Sequence, residues 1–201
     1  MTQTQDHLAS LKYFDRHFDR VAVKVLPGEY YAGRNPELMV TVLGSCVTVC
    51  LLDPFSGVGG MNHFLLPGNQ DDPDLTTSSG RYGVYAMELL INHLLKLGAR
   101  RERLQAKVFG GGNVLKGFGP GSVGERNVEF VLRYLATEGL KVYAKDVLGN
   151  SPRKVYFFPD SDQVLVRKIN DGMQSLIVDQ EKDYQRQLLQ DKPSSSVELF
   201  I

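Results

Sequence analysis

Both cysteines of this 201-residue chain, Cys46 and Cys50, fall in one stretch, Leu38 to Leu52. Two runs of aliphatic and β-branched residues flank a small-residue break, Gly44-Ser45, and Cys46 follows directly. A thiol there is either a small core side chain, since free Cys is among the most buried residues, or a nucleophile. A cysteine nucleophile needs a base to hold the thiolate, donors for a tetrahedral oxyanion and a group that orients the base. Among four histidines, His63 is the best base. His7 and His17 lie in the N-terminal extension and His93 lies off the apolar stripe of a regular helix, so each reads as solvated. His63 follows Gly59-Gly60, where the backbone can pass close to another strand. A thiolate–imidazolium pair would make Cys46 nucleophilic near neutral pH, and the backbone N–H groups at Gly44, Ser45 and Cys46 are candidate oxyanion donors. The residues point to an acyl-transfer hydrolase of Cys-His type, with Cys50 in the core.

The elements that must position these groups follow from pattern. The runs on either side of Gly44-Ser45 read as buried strands, because Val, Ile and Thr lose little on becoming extended. Asp53-Pro54-Phe55-Ser56-Gly57 reads as a turn and Val58 to Leu66 as a returning strand ending at Pro67, a hairpin that brings His63 back beside Cys46. Upstream, Leu8, Leu11, Phe14 and Phe18 are spaced as a short amphipathic helix, and Val21 to Leu26 alternates as a strand before the Pro27-Gly28 turn. Residues 68–81 read as an exposed loop ending in the capping residues Thr77, Ser78 and Ser79, before a helix over Val84 to Leu97 stopped by Gly98. Lys107 to Phe109 forms a short strand opening a glycine-rich run. Ser122 to Glu125 is a capping box for a helix over Glu125 to Glu138. Strands follow at Leu140 to Lys145, Lys154 to Phe158 and Val164 to Val166, then a helix over 171–190. The order predicts an α+β fold, a single domain of mixed β-sheets flanked by helices. It divides into an N-terminal extension, 1–20, a catalytic domain, 21–170, and a C-terminal helix and tail, 171–201. That last segment either packs on its own domain or docks a partner.

Composition narrows the function. Lys plus Arg and Asp plus Glu both number 23, giving zero formal net charge, and no basic stripe interleaved with aromatics suggests nucleic acid. Cys46 and Cys50 would share a strand face too far apart to bond, and Cys-x-x-x-Cys without a second ligand pair is a poor zinc site. No metal or other cofactor is expected. Gly119 to Gly124 fits G-x-G-x-x-G, but about ten residues separate it from the preceding strand and Pro120 removes an amide, so a structural loop is the better reading. The polar N-terminus is unlike a signal peptide and no apolar run approaches a membrane span, which makes the cytoplasm the default setting.

Leu43-Gly44-Ser45-Cys46-Val47, followed by Gly59-Gly60-x-x-His63-Phe64-x-x-Pro67, resembles the chemoreceptor glutamine deamidases, the CheD family. Lys107 to Gly111, Gly124-Glu125-Arg126-Asn127 and residues 149–157 resemble later blocks of that family, so the likeness covers roughly residues 20–170. It implies a fold similar to the catalytic domain of certain deamidating toxins. It also implies a reaction, attack by Cys46 on a glutamine carboxamide in the cytoplasmic helical region of a chemoreceptor, with His63 moving the protons and water resolving the thioester to glutamate. Other roles the resemblance implies are receptor methylesterase activity and binding or stimulation of a CheC-type phosphatase. The third member of the site would be a Thr six residues before the nucleophile. That position is Val40 here, and one residue of shift along a regular strand reverses direction, so the adjacent Thr41 fills the role only if a bulge or a different register turns it towards His63; otherwise a backbone carbonyl or another residue orients the ring.

Overall fold

Leu38–Leu43 (β4) and Val47–Asp53 (β5) are apolar along both faces because each strand is covered on both sides. Odd and even residues of β4 go to different cores. Met39 and Leu43 face one cluster with Cys46, Cys50, Met61 and Phe157. Leu38 and Val40 face the opposite side with Ala22, Tyr156 and Phe158. In β5, Val47, Val49 and Leu51 point to a third cluster shared with the helices. The two strands lie in different sheets, so the Gly44-Ser45-Cys46 break is where the chain passes from one sheet to the other.

The computed structural model describes residues 7–67, 78–114, 122–169 and 174–190. The first sheet orders Lys12–Asp15 (β1), Arg20–Lys24 (β2), β4, Arg153–Phe158 (β9) and Gln163–Lys168 (β10); β2 and β4 run parallel and the other pairs antiparallel. The second orders Tyr30–Arg34 (β3), Val58–Asn62 (β6), β5, Gln105–Gly110 (β7) and Lys141–Val147 (β8), with only β7 and β8 parallel. Apolar side chains from facing sheets form one core. The helices Ser78–Lys96 (α1) and Val123–Thr137 (α2) cover the far face of the second sheet over another, which includes Met87, Leu90, Phe130 and Val131. The third helix is Gln174–Gln190 (α3). The α+β reading holds, as a sheet–sheet–helix arrangement.

Several expectations need correction. The N-terminal segment is not helical where it is described. Residues 12–15 pair with β2, the Asp15 carboxylate accepts from the His17 and Phe18 amides, and Asp19 turns the chain at φ 49°. The helical spacing was accidental: Leu11 and Phe14 are exposed, while Phe18 packs edge-on against Tyr156 and Phe158. Residues 30–34, for which no element was expected, form a strand. Helix α1 begins at Ser78, six residues before the expected start, and the Ser79 hydroxyl donates to the Pro67 carbonyl. His93 is half-buried, its ring edge-on to Tyr30. Residues 68–77, Gly119 to Gly121 and the tail from 191 lie outside the described residues.

Candidate active site

The turn at residues 53–57 closes β5 against β6, and the chain then continues past Asn62 to pair Phe64 with Val47 through two backbone bonds of 3.0 Å. In this antiparallel register Phe64 and Val47 face the helices, so His63 and Cys46 both face the first sheet. The His63 backbone is held by Glu29 O and Gly28 N, at 2.9 and 2.8 Å. Across the interface Thr41 Oγ1 lies 2.7 Å from His63 Nδ1 and donates its own hydrogen to Val25 O at 2.8 Å. With its one proton committed to a carbonyl, the hydroxyl accepts from Nδ1–H. The proton therefore sits on Nδ1, and Nε2 keeps a lone pair that has no protein partner among the described residues although it is buried. The direction of Thr41 follows from strand alternation. Val40 points to the outer core and Thr41 points between the sheets, so no bulge is needed.

The break sends its carbonyls and its amides to different partners. Its carbonyls point away from the site and are all bonded: Gly44 O to Gly112 N and Cys46 O to Gly111 N, each 2.7 Å, and Ser45 O to Asn127 Nδ2 at 2.8 Å. That leaves three consecutive N–H groups pointing inward, a cradle for an anion. The glycine-rich run supplies this support. Gly110 and Gly111 adopt φ of 111° and 67°, and a Cβ at Gly110 would lie 2.2 Å from Cys46 O. Asn127, fully buried on α2, also accepts from Leu66 N at 2.9 Å, so one amide side chain ties the cysteine loop to the segment following His63.

The cradle is occupied by a side chain from α3. Glu181 Oε1 accepts from Gly44 N at 2.9 Å and Cys46 N at 3.0 Å, and Oε2 accepts from Ser45 N and Ser45 Oγ, each at 2.8 Å. Burial, and then the negative charge of the nearby Glu181, push the Cys46 thiol well above its ordinary range. Burial holds the His63 imidazole well below its usual value, against the opposing pull of Glu181. Both shifts favour the neutral form of the group concerned. Cys50 is buried in the core between the sheets, and burial raises its thiol as well. Among the described residues no cluster of His, Cys, Asp and Glu is arranged to hold a metal, and no helix is long and apolar enough to cross a membrane.

The structure joins Thr41 to His63, gathers the Gly44, Ser45 and Cys46 amides around Glu181, and pairs Val47 with Phe64, the neighbours of Cys46 and His63. Asn127, noted only within a motif, and Glu181 were missed. Asn127 carried no signal that its side chain would serve two distant backbone groups. For Glu181 the signal was the spacing of Ile177, Glu181 and Tyr184 on one helix face, which shows sidedness but not the surface it meets.

A family model described as "CheD chemotactic sensory transduction" matches residues 65–168. The "Probable chemoreceptor glutamine deamidase CheD 1" of Shewanella oneidensis is 58% identical over 190 residues, 94% of this chain and 92% of that protein. The chain belongs to the CheD family. CheD relatives from Janthinobacterium sp. (strain Marseille) and Herminiimonas arsenicoxydans, each called a probable chemoreceptor glutamine deamidase, are 53% and 52% identical over 198 residues, covering 98% of each chain. The matched CheD segment contains Gly111 and Asn127, whereas Thr41, Cys46 and His63 precede it and Glu181 follows it. A solved structure, the Bacillus licheniformis hypothetical protein YfiH, aligns with a TM-score of 0.38 at 13% identity over 60% of this chain and 51% of that one, too low to argue from.

Proposed function

We propose that this CheD protein deamidates glutamine side chains of chemoreceptors, with Cys46 as nucleophile, His63 as acid–base and Thr41 as the positioning residue for His63. The observation that carries this reading is the His63 ring, fixed as the Nδ1–H tautomer with a buried and unpartnered Nε2 on the face it shares with Cys46. Nε2 is the atom able to take the thiol proton. The sulfur then attacks the glutamine Cδ, and the carbonyl oxygen becomes an oxyanion held by the Gly44, Ser45 and Cys46 amides. Each such donor contributes about 3–4 kcal/mol in comparable sites. Collapse of the tetrahedral adduct breaks C–N, and His63 returns the proton to departing ammonia. A water molecule, deprotonated by His63, hydrolyses the thioester to glutamate and restores the thiol. The relatives' printed names, at this identity and coverage, support chemoreceptor glutamine as the substrate.

The test is mass spectrometry of a chemoreceptor cytoplasmic fragment incubated with the protein. Wild type should convert specific glutamines to glutamate with ammonia released in equal amount, and Cys46→Ala and His63→Ala should each abolish conversion. Continued conversion by Cys46→Ala protein would sink the assignment. Hydrolysis of receptor methyl esters uses the same acyl chemistry and would be lost with the same substitutions. Binding of a CheC-type phosphatase needs a surface and no nucleophile, so both variants would retain it.

A further inference from the structure

Glu181 is buried with no cationic partner among the described residues; its four accepted bonds come from three consecutive backbone amides and one hydroxyl. Such a cradle answers the shape of a carboxylate or of a tetrahedral oxyanion. The carboxylate bonds the Cys46 amide, and its charge bears on both the Cys46 thiol and the His63 ring. The helix carrying it is closely fitted both at the cradle and at one other point. A Cβ at Gly44 would lie 2.8 Å from Glu181 Oε2, so glycine is what lets the carboxylate approach. A Cβ at Gly28 would lie 2.6 Å from the Tyr184 hydroxyl, which bonds the Tyr82 hydroxyl of α1 at 2.5 Å. Ile177, Glu181 and Tyr184 stand at i, i+4 and i+7, one face of α3, and Ile177 and Glu181 are buried there.

The chemistry at the end of the side chain is informative. The reaction proposed above leaves a glutamate carboxylate beside Cys46, with one oxygen in the amide cradle. Glu181 presents the same group in that cradle from a helix of the same chain, with both oxygens engaged, Oε1 on the Gly44 and Cys46 amides and Oε2 on the Ser45 amide and hydroxyl. We infer that α3 is an internal product mimic: it occupies the substrate site with Glu181 in the position of the product side chain, and it must withdraw before a receptor glutamine can enter. This rests on the deamidase reading for the word product, while the occupancy rests on the contacts alone. It follows that the Glu181→Gln side chain is itself a substrate. Cys46 would attack its Cδ, the C–N bond would break with ammonia leaving on a proton from His63, and water would hydrolyse the thioester, regenerating Glu181.

Two measurements on the full chain test the inference. The first is the rate of Cys46 alkylation by iodoacetamide, read by peptide mass mapping so that Cys50 is counted separately; it requires no turnover. Glu181→Ala should speed Cys46 alkylation by about tenfold or more, because it both clears the cradle and removes the negative charge that disfavours the thiolate. Tyr184→Ala, which loosens α3 without touching the cradle, should speed it by a smaller factor. Rates equal to wild type in both variants would overturn the inference. The second is the intact mass of Glu181→Gln protein. The introduced carboxamide should revert to carboxylate over time, and it should persist when Glu181→Gln is combined with Cys46→Ala. Persistence of the carboxamide in Glu181→Gln protein that still deamidates the receptor fragment would overturn the product register. Faster alkylation of Glu181→Ala with no conversion of the receptor fragment by any form would instead retain the occupancy and remove the deamidase reading.

Discussion

Thr41 has one hydroxyl hydrogen, given to Val25 O, and its oxygen accepts from His63 Nδ1. Thr41→Val keeps the shape and removes both bonds, leaving a buried carbonyl and a buried N–H without partners. That should lower stability in urea denaturation by about 1–3 kcal/mol. With the tautomer no longer fixed, receptor-fragment deamidation should fall by roughly 10²-fold in kcat. Thr41→Ser should restore most of the activity, which a purely packing role for the methyl group would not allow. The His63 ring has a second consequence. Burial holds its pKa below the ordinary value, so the unfolded chain takes up a proton that the folded chain refuses. Stability from this group is complete above about pH 6.5, the unfolded value, and is lost as pH falls towards the folded one. The urea midpoint of wild type should therefore drop between pH 7 and pH 5, and His63→Gln should flatten that slope.

At the level of elements, the cysteine loop depends on two glycine segments that meet back to back. A Cβ at Gly124, near the start of α2, would lie 2.4 Å from Gly111 O, and Gly111 N holds Cys46 O. Gly124→Ala should therefore displace the loop that orients the cradle, lowering stability by about 1–3 kcal/mol and deamidation with it. Gly139→Asn is the control. Its Cβ would meet nothing within 4 Å and Asn tolerates the left-handed φ of 68°, so Tm should change little. Gly110, Gly111 and Gly124 of the glycine-rich run thus have a local reason, the close packing of the loop that supports Cys46. The β5–β6 hairpin was legible because turn residues and apolar runs agree on it, and with it the approach of His63 to Cys46. The direction of Thr41 was not, because alternation says which residues share a face and not which face looks inward. Residues 8–18 misled because their helical spacing matches a strand followed by a turn equally well, and only pairing with β2 decides between them.

For the whole molecule, the site exists only where two sheets meet. Thr41 belongs to the first sheet, Cys46 follows the passage out of it, and His63 extends a strand of the second. No single element carries both the base and the group that orients it, so the arrangement depends on the packing of Met39, Leu43, Met61, Leu65 and Phe157 between the sheets. Ordering of the site and ordering of that core are one event. The contacts of α3 close over this assembly from a helix more than a hundred residues further along the chain.

Because α3 and the cradle belong to the same chain, their encounter is unimolecular. Dilution cannot separate them, and a tethered group of this kind competes as though present at an effective concentration on the order of millimolar. A dilute receptor fragment in solution is a weak rival for such an occupant. Receptors packed side by side, presenting many target helices in a small volume, are a strong one. Turnover by this protein would accordingly track the local density of receptor helices far more steeply than their total amount.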